Sequence, residues 1–346
     1  MNKNIIHKKI PITVIQGFLG AGKTTLLNHI LEHNLGMNIG VVVNDFGDIN
    51  IDSEMIESQT DKKLELTSGC ICCSLQTLDL QDAIDQFTFP GSKIDYIIIE
   101  ASGLAEPRDL AMTLRQSIGV GVRLDGIVTV LDAKNLTTNA DNNQSARDQI
   151  IFTDFVIINK VDLVDRKIIN EITNLIHAFN PKARIIESAN AQVDVRLLLD
   201  QDQYKLRTDN LDNNTKDSKS VLNDHKHHLH HQYSTFSWRS KQPLDPSKFQ
   251  NFANRLLPAN IYRAKGFVDF GIKGHMRRYI FQLVGVRAEI VWDNWKNQQP
   301  KTDLVFIGQD LDKKQLQKDL DDCIDLTPQK PLADGIELKL PPKADL

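Results

Sequence analysis

Cysteine is scarce in this chain, and its scarcity excludes a disulfide framework. Only 4 cysteines occur among 346 residues, whereas small secreted domains held by disulfides are dense in cysteine. No apolar run approaches the roughly 20 residues that span a bilayer. The basic residues 1–9 are not followed by the apolar core of a secretory signal. These absences predict a cytoplasmic protein with no membrane partner.

Positive charge is not in excess either. The formal net charge is −4 at pH 7, and no long basic run offsets it. Because nucleic-acid binders neutralise phosphates with clustered Lys and Arg, this balance argues against a nucleic-acid partner. The length predicts two domains rather than one. The sequence leaves the oligomeric state open, a homodimer included.

The most informative segment present is the glycine-rich stretch 17–25, Gly-Phe-Leu-Gly-Ala-Gly-Lys-Thr-Thr. It follows the apolar residues 12–15 and opens a predicted helix that continues to Glu32, which is the context of a phosphate-binding loop. Small residues let consecutive N–H groups surround phosphate oxygens at a helix N-terminus. We expect Lys23 to reach the β- and γ-phosphates and the Thr24 hydroxyl to ligate Mg²⁺. The stretch predicts binding of a nucleoside triphosphate.

A second motif predicts which base is bound. The apolar residues 155–158 are followed by Asn159, Lys160, Val161 and Asp162. The Asp162 carboxylate can accept hydrogen bonds from both N1–H and the exocyclic amine of guanine, a pair that adenine does not offer. We expect Asn159 to tie this pocket together and the stem of Lys160 to cover the base. The motif therefore predicts GTP rather than ATP.

Two further segments are candidates for sensing the γ-phosphate. The apolar residues 96–99 end in Glu100, and Gly103 follows shortly afterwards. Such a strand end can place a carboxylate beside the metal and an N–H beside the γ-phosphate. Lys23 and Glu100 are the catalytic candidates, and the role of Glu100 stays open between the metal shell and positioning of water. Asp45, in the segment 44–48, is expected near Mg²⁺.

Three of the four cysteines crowd into Cys70, Cys72 and Cys73. Thiolates are ligands for Zn²⁺ and other late first-row metals, and one turn of backbone at this spacing can present at least two sulfurs to one ion. The adjacent Cys72 and Cys73 cannot easily both join Cys70 around one tetrahedral ion. We therefore expect two or three sulfurs, with a carboxylate, water or a partner's ligand completing the shell. A disulfide or buried thiols are the alternatives.

Taken in order, these motifs resemble those of the CobW-like GTPases, a family of metal chaperones that includes the zinc-regulated GTPase activators of metalloproteins. The resemblance rests on residues 17–25, on Asn-Asp-Phe-Gly, Gly-Cys-Ile-Cys-Cys, Glu-Ala-Ser-Gly-Leu-Ala-Glu-Pro and Asn-Lys-Val-Asp, and it extends to residues 304–308. It implies GTP hydrolysis coupled to delivery of a metal, most often zinc, to a client metalloenzyme. The residues that it assigns are Gly17, Gly20, Gly22, Lys23, Thr24 and Thr25 for phosphate and Mg²⁺, Glu100 and Gly103 for the next nucleotide loop, Asn159, Lys160 and Asp162 for guanine, and Cys70, Cys72 and Cys73 for the carried metal.

Three alternatives to this interpretation stay open. Cobalt delivery for corrinoid assembly is the nearest rival, because sulfur-rich ligation does not rank Zn²⁺ above Co²⁺. A passive metal buffer would need no GTP turnover, and an adenine-nucleotide enzyme would prefer ATP. Some relatives carry an acid just before the Asn-Asp/Glu-Phe-Gly loop, where this chain has Val43. The resemblance therefore does not extend to a second metal site that depends on that acid.

Hydrophobic patterning predicts the fold. Short apolar runs alternate with amphipathic helical patterns from Pro11 to about Leu199, which is typical of an α/β fold whose mostly parallel sheet has helices on both faces. The predicted domains are a P-loop GTPase domain at 1–200, a polar linker at 201–232, a smaller C-terminal α+β domain at 233–330 and a tail at 331–346. Five of the 10 histidines lie within residues 225–231 of the linker, a density that favours metal collection over an inert spacer.

The C-terminal domain is expected to be built from strands and two helices. Cys323 falls in the second helix among apolar neighbours and is expected to be buried. The predicted strands are 233–238, 261–270, 278–284 and 303–307, and the predicted helices are 246–257 and 313–324.

Overall fold

The structure is a computed structural model, and it describes residues 9–33, 36–43, 63–65, 77–89, 91–101, 121–136, 144–200, 233–272, 277–285, 287–295 and 299–325. The chain divides into two compact units, Met1–Lys226 and His227–Leu346. The predicted linker 201–232, with its histidine-rich stretch, and the predicted tail 331–346 lie outside the described residues. The predicted domain boundaries therefore stay predictions.

The amino-terminal unit is built on a parallel sheet. Its strands are β1 (Ile10–Gly17), β2 (Ile39–Val43), β3 (Lys63–Glu65), β4 (Tyr96–Glu100), β5 (Val122–Asp132), β6 (Phe155–Asn159) and β7 (Arg184–Ser188). They form a 7-stranded sheet of order β3-β2-β4-β1-β5-β6-β7, and each described pairing is parallel. Strands β2, β4 and β6 are buried over their full lengths, as a sheet covered on both faces requires. The predicted α/β fold is confirmed.

Helices cover this sheet through short apolar stripes. Leu80, Ile84 and Phe87 lie one helical turn apart on α2 (Thr77–Thr88) and form a core cluster with residues of the central strands. Ile172 and Ile176 of α4 (Arg166–Phe179) do the same against β6. This spacing puts one face of each helix against the sheet. The helices of the unit are α1 (Lys23–Glu32), α2 (Thr77–Thr88), α3 (Gln144–Ile151), α4 (Arg166–Phe179) and α5 (Val195–Leu198).

The carboxyl-terminal unit is an antiparallel sheet with helices. Its strands are β8 (Tyr233–Ser240), β9 (Ile261–Val268), β10 (Arg277–Val284), β11 (Arg287–Asn294) and β12 (Thr302–Gln309), in the order β11-β10-β9-β12-β8. Residues of α6 (Pro246–Asn251), of the π-helical turn Phe252–Leu256 and of α7 (Lys313–Asp321) complete its core. The predicted α+β class of this unit is confirmed. Strand β11 and the π-helical turn were not predicted.

Cys323 gives a direct test of the core of this unit. Its side chain is buried, as expected, and its thiol donates to the Asp319 carbonyl at 3.2 Å. Burial raises the pKa of this thiol to about 12, so the reactive thiolate is not formed near neutral pH. In a variant with Cys70, Cys72 and Cys73 replaced by Ser, we expect one thiol equivalent to react with a thiol-specific dye only after denaturant is added. Prompt labelling of the native variant would contradict this core.

Candidate functional site

The candidate site lies where four neighbouring strands end at one edge of the parallel sheet. Gly17, Glu100, Asp132 and Asn159 are the last residues of β1, β4, β5 and β6. The register brings them together, because Gly17 lies beside Val130 of β5, and Asp132 lies beside Asn159. The carboxyl edge of a doubly wound sheet is where such folds bind ligands.

The glycine-rich loop after β1 adopts conformations that favour glycine. Gly17 has φ +142°, and a Cβ there would lie 2.2 Å from the Val130 carbonyl oxygen. Gly22 has φ +102°, and a Cβ there would lie 2.5 Å from Nδ2 of Asn159. Gly20 also has a positive φ, +74°, but a Cβ there would meet nothing within 4 Å. The loop is therefore closely held by the sheet at its first glycine and by Asn159 at its last.

Lys23, Thr24 and Glu100 converge at the start of α1. The Lys23 ammonium donates to the Phe18 carbonyl at 3.2 Å, which folds this side chain back across the loop. The Thr24 hydroxyl donates to Oε1 of Glu100 at 2.8 Å, and the Glu100 side chain is 2% exposed. A hydroxyl and a carboxylate oxygen this close are hard oxygen ligands that fit Mg²⁺. Thr25 lies exposed in the same helical turn.

Asn159 joins three segments of the site through its side-chain amide. Its Nδ2 donates to the Ala21 carbonyl at 2.9 Å, and its Oδ1 accepts from the Ala191 N–H at 2.8 Å. Asn190 and Ala191 both have positive φ, 52° and 54°, which turns the loop after β7 towards this contact. The amide therefore holds the glycine-rich loop and the loop after β7 in one arrangement, and its burial makes both hydrogen bonds costly to lose.

Lys160 extends over the glycine-rich loop from a left-handed backbone, with φ 63°. Its ammonium donates to the Gly20 carbonyl at 2.7 Å and to Oδ2 of Asp132 at 2.7 Å. Although burial raises the pKa of Asp132, hydrogen bonds from Lys160 and Asn135 lower it to below its usual value. Asp132 is thus a carboxylate at neutral pH that fixes Lys160. It was not among the predicted site residues.

Replacing Asp132 by Asn should show what this ion pair contributes. The change keeps the size of the side chain and removes the charge that holds Lys160. A hydrogen bond to a charged group is worth roughly 1.5–3 kcal/mol, so we expect the affinity for GTP to fall roughly 10–150-fold. Displacement of a fluorescent GTP analogue at pH 7 measures it. The contribution of this ion pair to GTP affinity should disappear only when the pH falls through the lowered pKa of Asp132. Glu171→Gln is the control, since it removes an exposed ion pair with Lys167, 4.0 Å long, and should leave the affinity unchanged.

The remaining predicted site residues are placed less fully. Asp162 lies exposed in the single helical turn Val161–Leu163, directly after β6 and beside the site. Asp45, Cys70, Cys72, Cys73 and Gly103 lie outside the described residues. Within the described ranges, no group of three or more His, Cys, Asp and Glu side chains could hold a metal ion. No helix in the described part of the chain is long and apolar enough to cross a membrane.

Comparison with known proteins gives the family. Residues 11–187 match the family model described as "CobW/HypB/UreG, nucleotide-binding domain". Residues 233–324 match the family model described as "Cobalamin synthesis protein cobW C-terminal domain". Zinc-regulated GTPase metalloprotein activator 1 of Dictyostelium discoideum is 28% identical over 314 residues, which cover 77% of this chain and 65% of that protein. Zinc chaperone CobW of Sinorhizobium sp is 29% identical over 340 residues, which cover 88% of this chain and 94% of that protein.

Among solved structures, this chain aligns with the Zn(II)-bound YjiA GTPase from E. coli with a TM-score of 0.43 and 21% identity. The alignment covers 92% of this chain and 100% of that chain. The chain spans 65% of the length of the Dictyostelium relative. The family match takes in all of the parallel sheet except its first and last residues, Ile10 and Ser188, and it includes the strand ends that form the site. The chain therefore belongs to the CobW/HypB/UreG family of GTPases.

Proposed function

We propose that this GTPase is a cytoplasmic metal carrier, which binds Zn²⁺ at Cys70, Cys72 and Cys73 and transfers it to a client metalloenzyme under control of the GTP or GDP state. One arrangement carries the nucleotide half of the proposal. Lys23, Thr24 and Glu100 meet at the carboxyl edge of the sheet, within hydrogen-bonding reach of the loop that surrounds phosphate. This is where a triphosphate and its metal would be held.

The chemistry of each group follows from its position. Lys23 would exchange the Phe18 carbonyl for phosphate oxygens, which carry full negative charge. Mg²⁺ held by Thr24 and Glu100 would neutralise charge on those oxygens. Lys160, fixed by Asp132 and by the Gly20 carbonyl, would cover the base. Asp162, exposed beside it, would accept the two guanine donors.

The sheet register supports coupling between nucleotide and carried metal. Val43, the last residue of β2, lies beside Glu100 on one side and Glu65, the last residue of β3, on the other. Cys70 follows Glu65 by five residues, a reach of at most about 17 Å of extended chain. Asp45 follows Val43 by two residues. The segments proposed to bind Mg²⁺ and Zn²⁺ therefore leave the sheet one strand and two strands away from Glu100, the carboxylate proposed to lie near the γ-phosphate.

The relatives support zinc as the carried ion. The Sinorhizobium protein, aligned over 94% of its length, is named a zinc chaperone, and the Dictyostelium protein a zinc-regulated GTPase metalloprotein activator. Thiolate ligands suit Zn²⁺. With GTP bound, the loops that touch the γ-phosphate would shape a tight zinc site, and hydrolysis would release that restraint.

Metal analysis of purified protein tests the proposed zinc site at Cys70, Cys72 and Cys73. Protein isolated with GTP and Mg²⁺ should contain zinc, and a Cys72→Ser/Cys73→Ser variant should lose it. Cys323→Ala is the matched control, since that thiol lies in the core of the other unit, and its zinc content should equal that of the wild type. Unchanged zinc in the double variant would contradict the proposed site. Repeating the analysis after growth with added Co²⁺ separates a zinc carrier from a cobalt carrier.

A further inference from the structure

Two histidines lie one helical turn apart at the carboxyl-terminal end of α1. His29 is in the last turn and His33 caps the helix. Their ring centroids are 4.5 Å apart and their planes are inclined by 38°. Residues four apart share one face of a helix, and two histidines at this spacing are what helical zinc motifs use. With a rise of about 1.5 Å per residue, the pair lies roughly 9–15 Å along the helix from Lys23.

Each ring is already oriented by a backbone carbonyl. His29 Nε2 lies 2.8 Å from the Val193 carbonyl oxygen, and His33 Nδ1 lies 2.9 Å from the His29 carbonyl oxygen. Because a carbonyl only accepts, each of these nitrogens carries a proton. The neutral rings therefore keep their lone pairs on Nδ1 of His29 and Nε2 of His33. Metal-ligating histidines donate their other N–H to a carbonyl or carboxylate in this way, which fixes the tautomer and the ring orientation.

The distance between the ring centroids is close to that expected for two imidazoles bound to one ion. A Zn–N bond of about 2.0–2.1 Å puts the ion roughly 3.2 Å from each ring centroid. Rings 4.5 Å apart then subtend about 90° at the ion, and a full tetrahedral angle would need about 5.2 Å. Burial is the largest influence on the pKa of His29 and lowers it, and the nearby carboxylates of Glu32 and Asp194 act in the opposite direction.

We propose that His29 and His33 form a second metal site, which binds a borderline divalent ion such as Zn²⁺ through two imidazole nitrogens, with water completing the shell. The described residues supply no third ligand to this pair. The site is therefore weaker and more readily exchanged than a thiolate site. It uses none of the three cysteines, and it does not depend on GTP turnover.

The test needs a full-length chain without the other candidate ligands. We would replace Cys70, Cys72 and Cys73 by Ser and the five histidines of residues 225–231 by Asn. Zn²⁺ is then titrated in competition with a chromogenic chelator. We expect one equivalent to bind, and His33→Asn in the same chain to weaken binding about 10²-fold, because the second imidazole is supplied intramolecularly.

His177→Asn is the matched control, since His177 is an exposed histidine of α4 and has no histidine one turn away. Its affinity for Zn²⁺ should equal that of the parent chain. Thermal melts check folding of every variant, and Zn²⁺ should raise the midpoint of the parent and the His177 variant only. The proposal is overturned if the parent chain binds no Zn²⁺, or if the His33 and His177 variants bind it equally.

Discussion

Lys23→Ala should reduce kcat/KM for GTP hydrolysis about 10²–10³-fold, as the loss of a donor to developing charge does elsewhere. The structure holds this ammonium on the Phe18 carbonyl at 3.2 Å, inside the glycine-rich loop. Phosphate oxygens would attract it more strongly than that neutral carbonyl. Release of inorganic phosphate from GTP, followed under saturating Mg²⁺, measures the effect.

The control for Lys23→Ala is Lys182→Ala, which removes an exposed lysine before β7 and should leave turnover unchanged. The same assay with ATP tests the guanine prediction, since the wild type should hydrolyse ATP far more slowly. A passive metal buffer would show no turnover in the wild type and no difference in the Lys23 variant. An adenine-nucleotide enzyme would reverse the preference between the two nucleotides. Wild-type turnover by Lys23→Ala would contradict the assignment of this side chain.

Gly17→Ala should prevent stable folding of the amino-terminal unit, whereas Gly20→Ala should not. A Cβ at Gly17 would lie 2.2 Å from the carbonyl oxygen of Val130, in the backbone of a central strand that cannot move aside. We expect a loss of about 4 kcal/mol or more in the free energy of unfolding. At Gly20 nothing lies within 4 Å of a Cβ, so only the left-handed backbone costs energy, about 1–2 kcal/mol.

Urea unfolding followed by circular dichroism compares the two glycine variants directly. The signal measures unfolding of the sheet against which Gly17 packs. Gly20→Ala is the matched control, because it adds the same methyl group to the same loop. Equal free energies of unfolding for the two variants would contradict the close approach of the glycine-rich loop to β5. If Gly20→Ala loses GTP binding but keeps its stability, the added methyl group interferes with the bound phosphate and not with packing of the loop on β5.

Strands buried on both faces could be predicted, whereas β11, one of the two edge strands of the antiparallel sheet, could not. β2, β4 and β6 are continuous apolar runs that only a covered sheet explains. β11 mixes charged and apolar residues, and its Val291 and Trp292 are 43% and 53% exposed. It lies at one edge of its sheet, and its pattern carries little hydrophobic signal. The pairing with β10 creates this strand, and a single-sequence pattern does not contain that partner.

At the candidate site, residues that belong to a local motif could be predicted, whereas residues whose role depends on a neighbour in space could not. Lys23, Thr24 and Asn159 could be predicted because each belongs to a short motif at a strand end. Asp132 is also the last residue of a strand, β5, but no local motif distinguishes it. Its role arises from its contact with Lys160, which follows the neighbouring strand. The Ala191 N–H, a backbone group, carries no side-chain signal at all.

We propose that the GTP state controls zinc affinity, through strand ends at which Val43 lies beside both Glu65 and Glu100. The most direct measurement is the Kd for Zn²⁺ of the same protein with Mg²⁺ and either a non-hydrolysable GTP analogue or GDP, obtained by competition with a chromogenic chelator. A coupling free energy in the usual range predicts that the GTP-analogue form binds Zn²⁺ about 5–150-fold more tightly. Equal Kd values in the two nucleotide states would contradict this coupling between GTP and Zn²⁺.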